Sequence, residues 1–177
     1  MRKFLNALAW LAIVLFVLFD IVLVMGTRLP RQHSVVRTVT IHQPAQRIWA
    51  ALTDFAQQPK WRPDLVSVER MPKRGGQEVW RENYKNGMSD TLITEQWVPP
   101  VYLVRTIADE KSPVQGSWEF TLQRATEGST TVTINERALV PNPLYRFMGN
   151  YVLRYSYIDN FLKQLAAKMG EPTAKVS

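Results

Sequence analysis

The apolar residues of the chain are unevenly distributed, and the first of them form one long run. Residues 4–25 are a stretch of 22 in which only Asn6 and Asp20 are polar. At a rise of 1.5 Å per residue, a helix over this stretch is about 33 Å long and can cross a hydrocarbon core of about 30 Å. The stretch is longer than the apolar part of a usual signal peptide, and Val24-Met25-Gly26 is a poor cleavage site. The pattern predicts a transmembrane anchor over residues 1–27, with a cleaved signal peptide as the alternative.

The flanking charges bear on the orientation of this anchor. Arg2 and Lys3 precede the run, and arginines at 28, 31 and 37 follow it. A short charged tail is hard to translocate, so we expect a single-pass protein of a bacterial inner membrane with its soluble domain in the periplasm. Asp20 lies about 8 Å inside the end of the run, where it can reach headgroup water.

Beyond a linker at residues 28–34, the period of the apolar positions changes from helical to alternating. A strand at 35–41 precedes a short helix that begins at Pro44 and ends at Thr53, and Asp54 can cap a second short turn. Turn residues then separate six further segments, and short connections favour antiparallel neighbours. These six predicted strands are 65–70, 77–85, 88–98, 101–107, 114–124 and 129–140.

The last predicted element is a helix of about 27 residues between Asn142-Pro143 and Gly170. Its apolar residues recur at alternating spacings of four and three and would form one stripe that lies across the sheet. The stripe comprises Leu144, Met148, Tyr151, Tyr155, Ile158, Leu162, Leu165 and Met169. The predicted fold class is therefore α+β, with a seven-stranded antiparallel sheet, a long C-terminal helix and one preceding transmembrane helix. The domain would span residues 35–170, with a tail at 171–177.

The strand register that the hairpin turns set predicts which residues lie on the inner face of the sheet. A two-residue turn at Asn86-Gly87 pairs Lys85 with Met88, and a three-residue turn at 126–128 pairs Trp118 with Glu136. The resulting inner face combines aromatic residues with carboxylates, as small-molecule sites do. The candidate ligand-binding residues on it are Trp80, Glu82, Tyr84, Glu95, Trp97, Trp118, Phe120 and Glu136, with Tyr151 and Tyr155 on the helix. The alternative is a packed core whose glutamates lie at solvated strand ends, pair with Arg105 or water, or include an acid of raised pKa.

Composition excludes several other functions. The chain has no cysteine and two histidines, so disulfides, thiolate chemistry and a zinc site are not expected, and we predict no metal and no cofactor. The net charge is +7, with 22 basic and 15 acidic residues, but no basic cluster or motif points to nucleic acid. A basic domain beside a bilayer can instead use anionic headgroups as its counter-charge.

The order of these elements resembles a known family. Pro44-Ala45-Gln46-Arg47-Ile48-Trp49, Thr53-Asp54-Phe55 and Trp61 are similar to the opening of the polyketide cyclase/dehydrase group of the START-like (SRPBCC, Bet v 1-type) superfamily. The resemblance covers residues 35–170. It implies a helix-grip fold around a hydrophobic cavity, with Trp61 near the cavity entrance as a further ligand-binding residue. It implies no shared catalytic set.

Three functions follow as hypotheses. The first is a membrane-anchored binding or carrier protein for a lipid, isoprenoid or polyketide-like molecule. The second is a cyclase, dehydratase or hydrolase of a bulky apolar substrate, with Glu82, Glu95 or Glu136 as general acid or base and Tyr84 or Tyr151 as hydrogen-bond donor. The third is a protein-interaction module of a stress-response or chaperone-associated kind, which predicts a filled cavity and an exposed apolar patch. The sequence identifies neither the ligand nor the oligomeric state.

Overall fold

The computed structural model describes residues 2–109, 112–126, 128–152 and 157–177. Its first element is helix α1, Arg2–Arg28. The most apolar 18-residue stretch of Asn6–Arg28 has a mean hydropathy of 2.9 and is not buried by the rest of the protein. By length and composition this helix can cross a membrane, and a signal sequence would have the same properties.

The remaining elements form the predicted α+β domain. Helix α2, Ala45–Thr53, and a 3-10 helix, Phe55–Lys60, separate the first strand from the other six. The strands are β1 Gln32–Ile41, β2 Leu65–Arg74, β3 Gln77–Tyr84, β4 Ser89–Val98, β5 Tyr102–Ile107, β6 Gln115–Arg124 and β7 Thr130–Leu139. They pair antiparallel in one sheet in the order β1-β7-β6-β5-β4-β3-β2. The predicted seven-stranded antiparallel sheet is confirmed.

The register of the last hairpin is as predicted, whereas that of the Asn86-Gly87 hairpin is wrong by one residue. Trp118 lies opposite Glu136, which is the register that the alternation of apolar and polar residues on β6 and β7 predicts. At the other hairpin the Tyr84 amide donates to the Met88 carbonyl at 2.9 Å, so the turn has three residues. Gly87, with φ of 82°, supplies the left-handed position that such a turn requires. In consequence Asp90, Leu92 and Thr94 of β4 share the inner face.

A bulge between Thr94 and Gln96 then reverses the alternation along β4. Beyond it Trp97 turns back towards the core, where its ring meets Trp49 at 5.4 Å and Phe55 at 6.3 Å. Glu95, at the bulge, is exposed and faces away from the interior. For Trp97 the one-residue register error and the bulge cancel, so this residue lies on the predicted face. For Glu95 they do not cancel, so this residue lies on the opposite face from the one predicted.

The C-terminal region has three described segments instead of one regular helix. They are α3, Pro143–Phe147, a π-helical segment, Met148–Val152, and α4, Tyr157–Lys168. Residues of α4 carry the predicted stripe into the core, with Leu162 and Leu165 fully buried. The predicted single stripe is wrong at its start, because α3 packs mainly against α1 and the π-helical segment that follows interrupts the regular helix.

Strand β1 is an edge of the sheet, and the C-terminal tail covers part of it. The amide and carbonyl of Ser177 pair with the carbonyl and amide of Thr38 at 3.0 and 2.8 Å. Val176 forms a bridge with Val39 and packs against the core. The tail thus satisfies backbone groups that an edge strand would leave unpaired.

Candidate functional site

A buried ion network lies between the sheet and α4. Glu82 on the inner face of β3 is completely buried and accepts a hydrogen bond from each of two arginines. Arg62 Nη1 donates to Glu82 Oε2 at 2.8 Å, and Arg105 Nη1 donates to Oε1 at 2.6 Å. Both guanidinium groups are themselves buried. They share the single negative charge of Glu82, and Asp64, paired with Arg62, supplies a second.

Polar side chains around Arg62 complete this ion network. Its Nη1 also donates to Gln58 Oε1 at 2.9 Å, and its Nη2 donates to Asp64 Oδ2 at 3.0 Å and to the Tyr157 hydroxyl at 3.2 Å. The Tyr84 hydroxyl donates to Glu82 Oε2 at 3.2 Å. The network therefore joins the 3-10 helix, β3 and α4.

The electrostatics keep Glu82 ionised and the tyrosines protonated. Burial opposes the charge of Glu82, but the guanidinium groups of Arg105 and Arg62 outweigh it and hold the pKa of this carboxyl below its ordinary value. Burial, together with the negative charge of Glu82, raises the pKa of Tyr157 to about 12. The pKa of Tyr84 is also raised, first by burial and then by Tyr157 and the negative charge of Glu82.

The interior beside this network is almost filled. A cavity of about 10 Å³ lies between Arg105, Trp118 and Phe161, which is the room needed for one water molecule. The Arg105 guanidinium stacks 4.1 Å from the centre of the Phe55 ring. Its Nε and Nη2 atoms are buried and have no hydrogen-bond partner among the described residues, as is also true of Thr94 Oγ1. The deep cavity implied by the family resemblance is not open in this conformation.

Several residues predicted for the site do come together around the network. Glu82 and Tyr84 belong to it, and Trp118 and Phe120 line the cavity. The ring of Trp118 lies 5.5 Å from that of Tyr157, and the ring of Phe120 lies 5.7 Å from that of Phe161. Just outside them, Trp61 packs against Phe161 and Trp80 packs against Phe55. These six share one aromatic and ionic environment.

The other predicted residues lie elsewhere. Glu136 accepts a hydrogen bond from Trp118 Nε1 at 2.9 Å but is only partly buried, and it does not contact the ion network directly. Glu95 is on the outer side of the sheet, Trp97 is 45% exposed, and Tyr151 is 50% exposed on the π-helical segment. Tyr155 lies outside the described residues.

Sequence reasoning missed Arg62 and Tyr157 as members of the site. Arg62 follows Trp61 in a segment interpreted as a turn, and nothing local shows that it points inward to Glu82, 20 residues away. Tyr157 is next to Ile158 of the predicted stripe, and the buried face of α4 is wider than that stripe and includes both residues. Arg105 is one of the partners that the sequence offers for the inner-face glutamates, and its pairing with Glu82 confirms that option.

The fold and site together define a START-like helix-grip protein. Residues 32–170 match the family described as polyketide cyclase/dehydrase and lipid transport. The match covers most of the chain, and the chain belongs to this family. No curated protein matches the sequence.

Solved structures show the same fold at low sequence identity. The chain is 17% identical to the Zhui aromatase/cyclase from Streptomyces sp. R1128, with a TM-score of 0.63 over 78% of this chain and 94% of that one. A START superfamily protein from Mycobacterium smegmatis is 18% identical, with a TM-score of 0.59 over 78% and 97%. The fold supports a hydrophobic ligand-binding or cyclase-type function.

Proposed function

We propose that the protein is a membrane-anchored binding or carrier protein for a hydrophobic small molecule, such as a lipid, an isoprenoid or a polyketide-like compound. The ligand would lie between the sheet and α4, with its apolar body against the aromatic residues and an oxygen acceptor on Arg105. The observation that carries this proposal is the pair of buried, unpartnered donors Nε and Nη2 of Arg105. Because unpaired buried donors cost free energy, an acceptor supplied by a ligand would remove that cost.

Binding on this scheme requires the interior to open. A cavity of about 10 Å³ cannot hold an acyl chain, so side chains such as Phe161 and the half-buried Trp61 would have to move. Each CH₂ group buried there contributes about 0.8 kcal/mol relative to water, which offsets the similar burial that the ligand gives up on leaving the bilayer. Helix α1 would keep the domain beside the bilayer, so exchange of an apolar ligand would be local and would not require its transfer through water.

The charge state of Glu82 argues for binding over acid catalysis. A general acid must carry a proton at working pH, whereas two guanidinium groups lower the pKa of Glu82. In our proposal Glu82 holds Arg62 and Arg105 in place, and Arg105 contacts the ligand. The protonated Tyr157 and Tyr84 hydroxyls are available as further polar groups at the same site.

The first test is to identify what the protein carries. We would purify the full chain from its native host in detergent, extract it with organic solvent and analyse the extract by mass spectrometry. We expect a stoichiometric apolar compound with an acidic or carbonyl oxygen. Recovery of bulk membrane lipids alone, in the same proportions as the membrane, would contradict the proposal.

The second test examines the role of Arg105 with cis-parinaric acid, a fluorescent fatty acid. Arg105→Met removes the charge and donors, and Arg105→Lys keeps a charge beside Glu82 but removes the guanidinium donors. We expect both variants to bind the probe several-fold more weakly than the unchanged chain. Arg137→Met, on the exposed outer face of β7, is the matched control and should bind normally.

The nearly filled interior also favours a second candidate, a protein-interaction module. Such a domain needs no cavity and would use an exposed apolar surface, for example the cluster of Trp97, Val98 and Val101 at the β4–β5 turn. An empty extract, together with no binding of cis-parinaric acid by the unchanged chain, would favour this function over the carrier.

A further inference from the structure

The end of the apolar helix α1 is fixed to α3 by a close contact between backbones. A Cβ atom built on Gly26 would lie 2.1 Å from the carbonyl oxygen of Pro143, so no larger residue fits there without movement. Val22 and Leu23 in the last turns of α1, and Leu29 just beyond its end, are partly buried, whereas most of the helix is exposed, and α3 is the element that contacts α1. Glycine at position 26 therefore allows α3 to lie against the last turns of α1.

A buried arginine strengthens this contact. Arg146 of α3 is only 7% exposed and donates from Nε to the Gly26 carbonyl at 2.8 Å. Its Nη1 atom donates to the carbonyls of Pro141 and Val140 at 2.9 and 3.2 Å. The guanidinium thus adds a second donor to a carbonyl in the last turn of α1, which also accepts from the Leu29 amide at 3.3 Å, and the helix dipole favours a positive charge at this end.

The contact determines the depth of α3 relative to a bilayer that holds α1. About 20 residues cross the hydrocarbon core, so a span that starts at Phe4 reaches the far boundary near Leu23. Gly26 is then about 5 Å beyond that boundary, at the level of the headgroups. Because α3 packs beside residues 22–26, it must lie at the same level.

The surface chemistry of residues 143–152 suits that position. The only charged residue in this segment is Arg146, and its side chain is buried. The exposed side chains include Tyr145 and Tyr151, at 47% and 50%, and Tyr151 packs on Phe147 with ring centres 5.0 Å apart. Tyrosine is enriched at membrane–water interfaces because its ring is apolar and its hydroxyl is polar. Arg28 and Arg31, exposed on the adjoining linker, would meet anionic headgroups.

We infer that residues 143–152 form a membrane-contacting surface that lies in the headgroup region of the bilayer, held there by the contact of Arg146 and Gly26. This inference rests on the proposed membrane anchor. It implies that the domain sits directly on the lipid surface in a fixed orientation and is not suspended from a loose tether.

The absence of cysteine from the sequence makes a direct depth measurement practical. Single cysteines replacing Tyr145 and Tyr151 would be spin-labelled in the full chain, reconstituted in vesicles of phosphatidylcholine and phosphatidylglycerol. Val101→Cys is the aqueous control, because the register puts the β4–β5 turn level with Thr38, about 20 Å along β1 from its start beside α1. Phe16→Cys, in the middle of α1, is the control for the anchor. Depth is read from collisions with oxygen and with a water-soluble nickel chelate.

We expect the labels at 145 and 151 to collide with the nickel chelate several-fold less often than the label at 101, and with oxygen more often. If the label at 16 is deep while those at 145 and 151 behave like the one at 101, the surface assignment is wrong and the anchor stands. If the label at 16 is itself in water, the anchor fails and this inference fails with it.

A second variant tests whether the α1–α3 contact sets the depth. Gly26→Leu should displace α3, and the label at 145 should become as accessible to the chelate as the label at 101. Met25→Leu, on an exposed position of the same turn, should leave it unchanged. Tryptophan near-UV circular dichroism would verify that the domain remains folded. An unchanged depth in a folded Gly26→Leu protein would overturn the role given to this contact.

Discussion

Arg105 and Arg146 are both buried, but the protein accommodates their charges in different ways. Arg105 faces a fully buried carboxylate, Glu82, which it shares with Arg62 in the centre of the domain. The described acceptors of Arg146 are backbone carbonyls at the periphery, where two helices meet. When a guanidinium group and a carboxylate pair in the core, loss of either one leaves the other as an unpaired buried charge. Backbone carbonyls are neutral, so loss of the guanidinium group that they bind leaves no buried charge behind. We therefore expect disturbance of Arg105 and Glu82 to affect the whole domain and disturbance of Arg146 to stay local.

The largest expected effect is that of Glu82→Gln. This change leaves Arg105 without a counter-charge in the core, although Arg62 retains Asp64. Breaking a buried ion pair by removing one partner costs about 3–5 kcal/mol in the free energy of unfolding. Urea denaturation of the full chain in detergent, followed by tryptophan fluorescence, would measure it.

The matched control is Glu78→Gln, on the same strand and face. Glu78 pairs with Arg70 and Lys73 at the surface, where such pairs contribute about 0–1 kcal/mol. Equal losses of unfolding free energy in Glu82→Gln and Glu78→Gln would mean that the buried ion pairs stabilise the domain no more than the surface pairs do.

The acid response of the domain should depend on the same carboxylate. Burial alone would raise the pKa of Glu82, but Arg105 and Arg62 lower this pKa by more than burial raises it. The folded value therefore lies below the ordinary 4.5. A group with a lowered folded pKa contributes stability that is present above its unfolded pKa and is lost as the pH falls towards the folded value. Below pH 4.5 the unchanged chain should lose stability more steeply than Glu82→Gln. Parallel pH profiles for the two proteins would contradict the assignment.

Arg146→Met should have a smaller and more local effect than Glu82→Gln. It removes three hydrogen bonds to carbonyls and leaves those groups to find water, at a cost of about 1–3 kcal/mol confined to the α1–α3 contact. Hydrogen–deuterium exchange in vesicles should become faster in residues 141–152 and stay unchanged in α4. Comparable acceleration in α4 would show that the two arginines do not differ as we claim.

The sequence predicted the sheet better than the site for a physical reason. Apolar alternation on β6 and β7 is unambiguous, so it fixed both the strands and the Trp118–Glu136 register. On β3 and β4 both faces mix polar and apolar residues, and Asn86-Gly87 fits a two-residue or a three-residue turn equally well. The error of one residue put Glu95 on the wrong face and hid Asp90 and Thr94.

The contacts that hold the candidate site and the α1–α3 junction together join distant parts of the chain. Glu82 meets Arg62 across 20 residues, and Arg146 meets Gly26 across 120. Neither pairing leaves a trace in local periodicity, because each depends on how whole elements pack. The predicted helix stripe failed at its start for the same reason, since α3 has α1 as its neighbour and α4 has the sheet.

The pairing of Val176 and Ser177 with β1 has a consequence for self-association. Bare strand edges recruit further strands from neighbouring molecules, and proteins avoid this by covering or charging them. Here the β1 edge is covered by the tail, and the opposite edge, β2, carries Lys73 and Arg74. A preparation trimmed before Val176 would present β1 as a template for aggregation, so the self-association of the purified protein depends on two residues that are not part of the buried ion network.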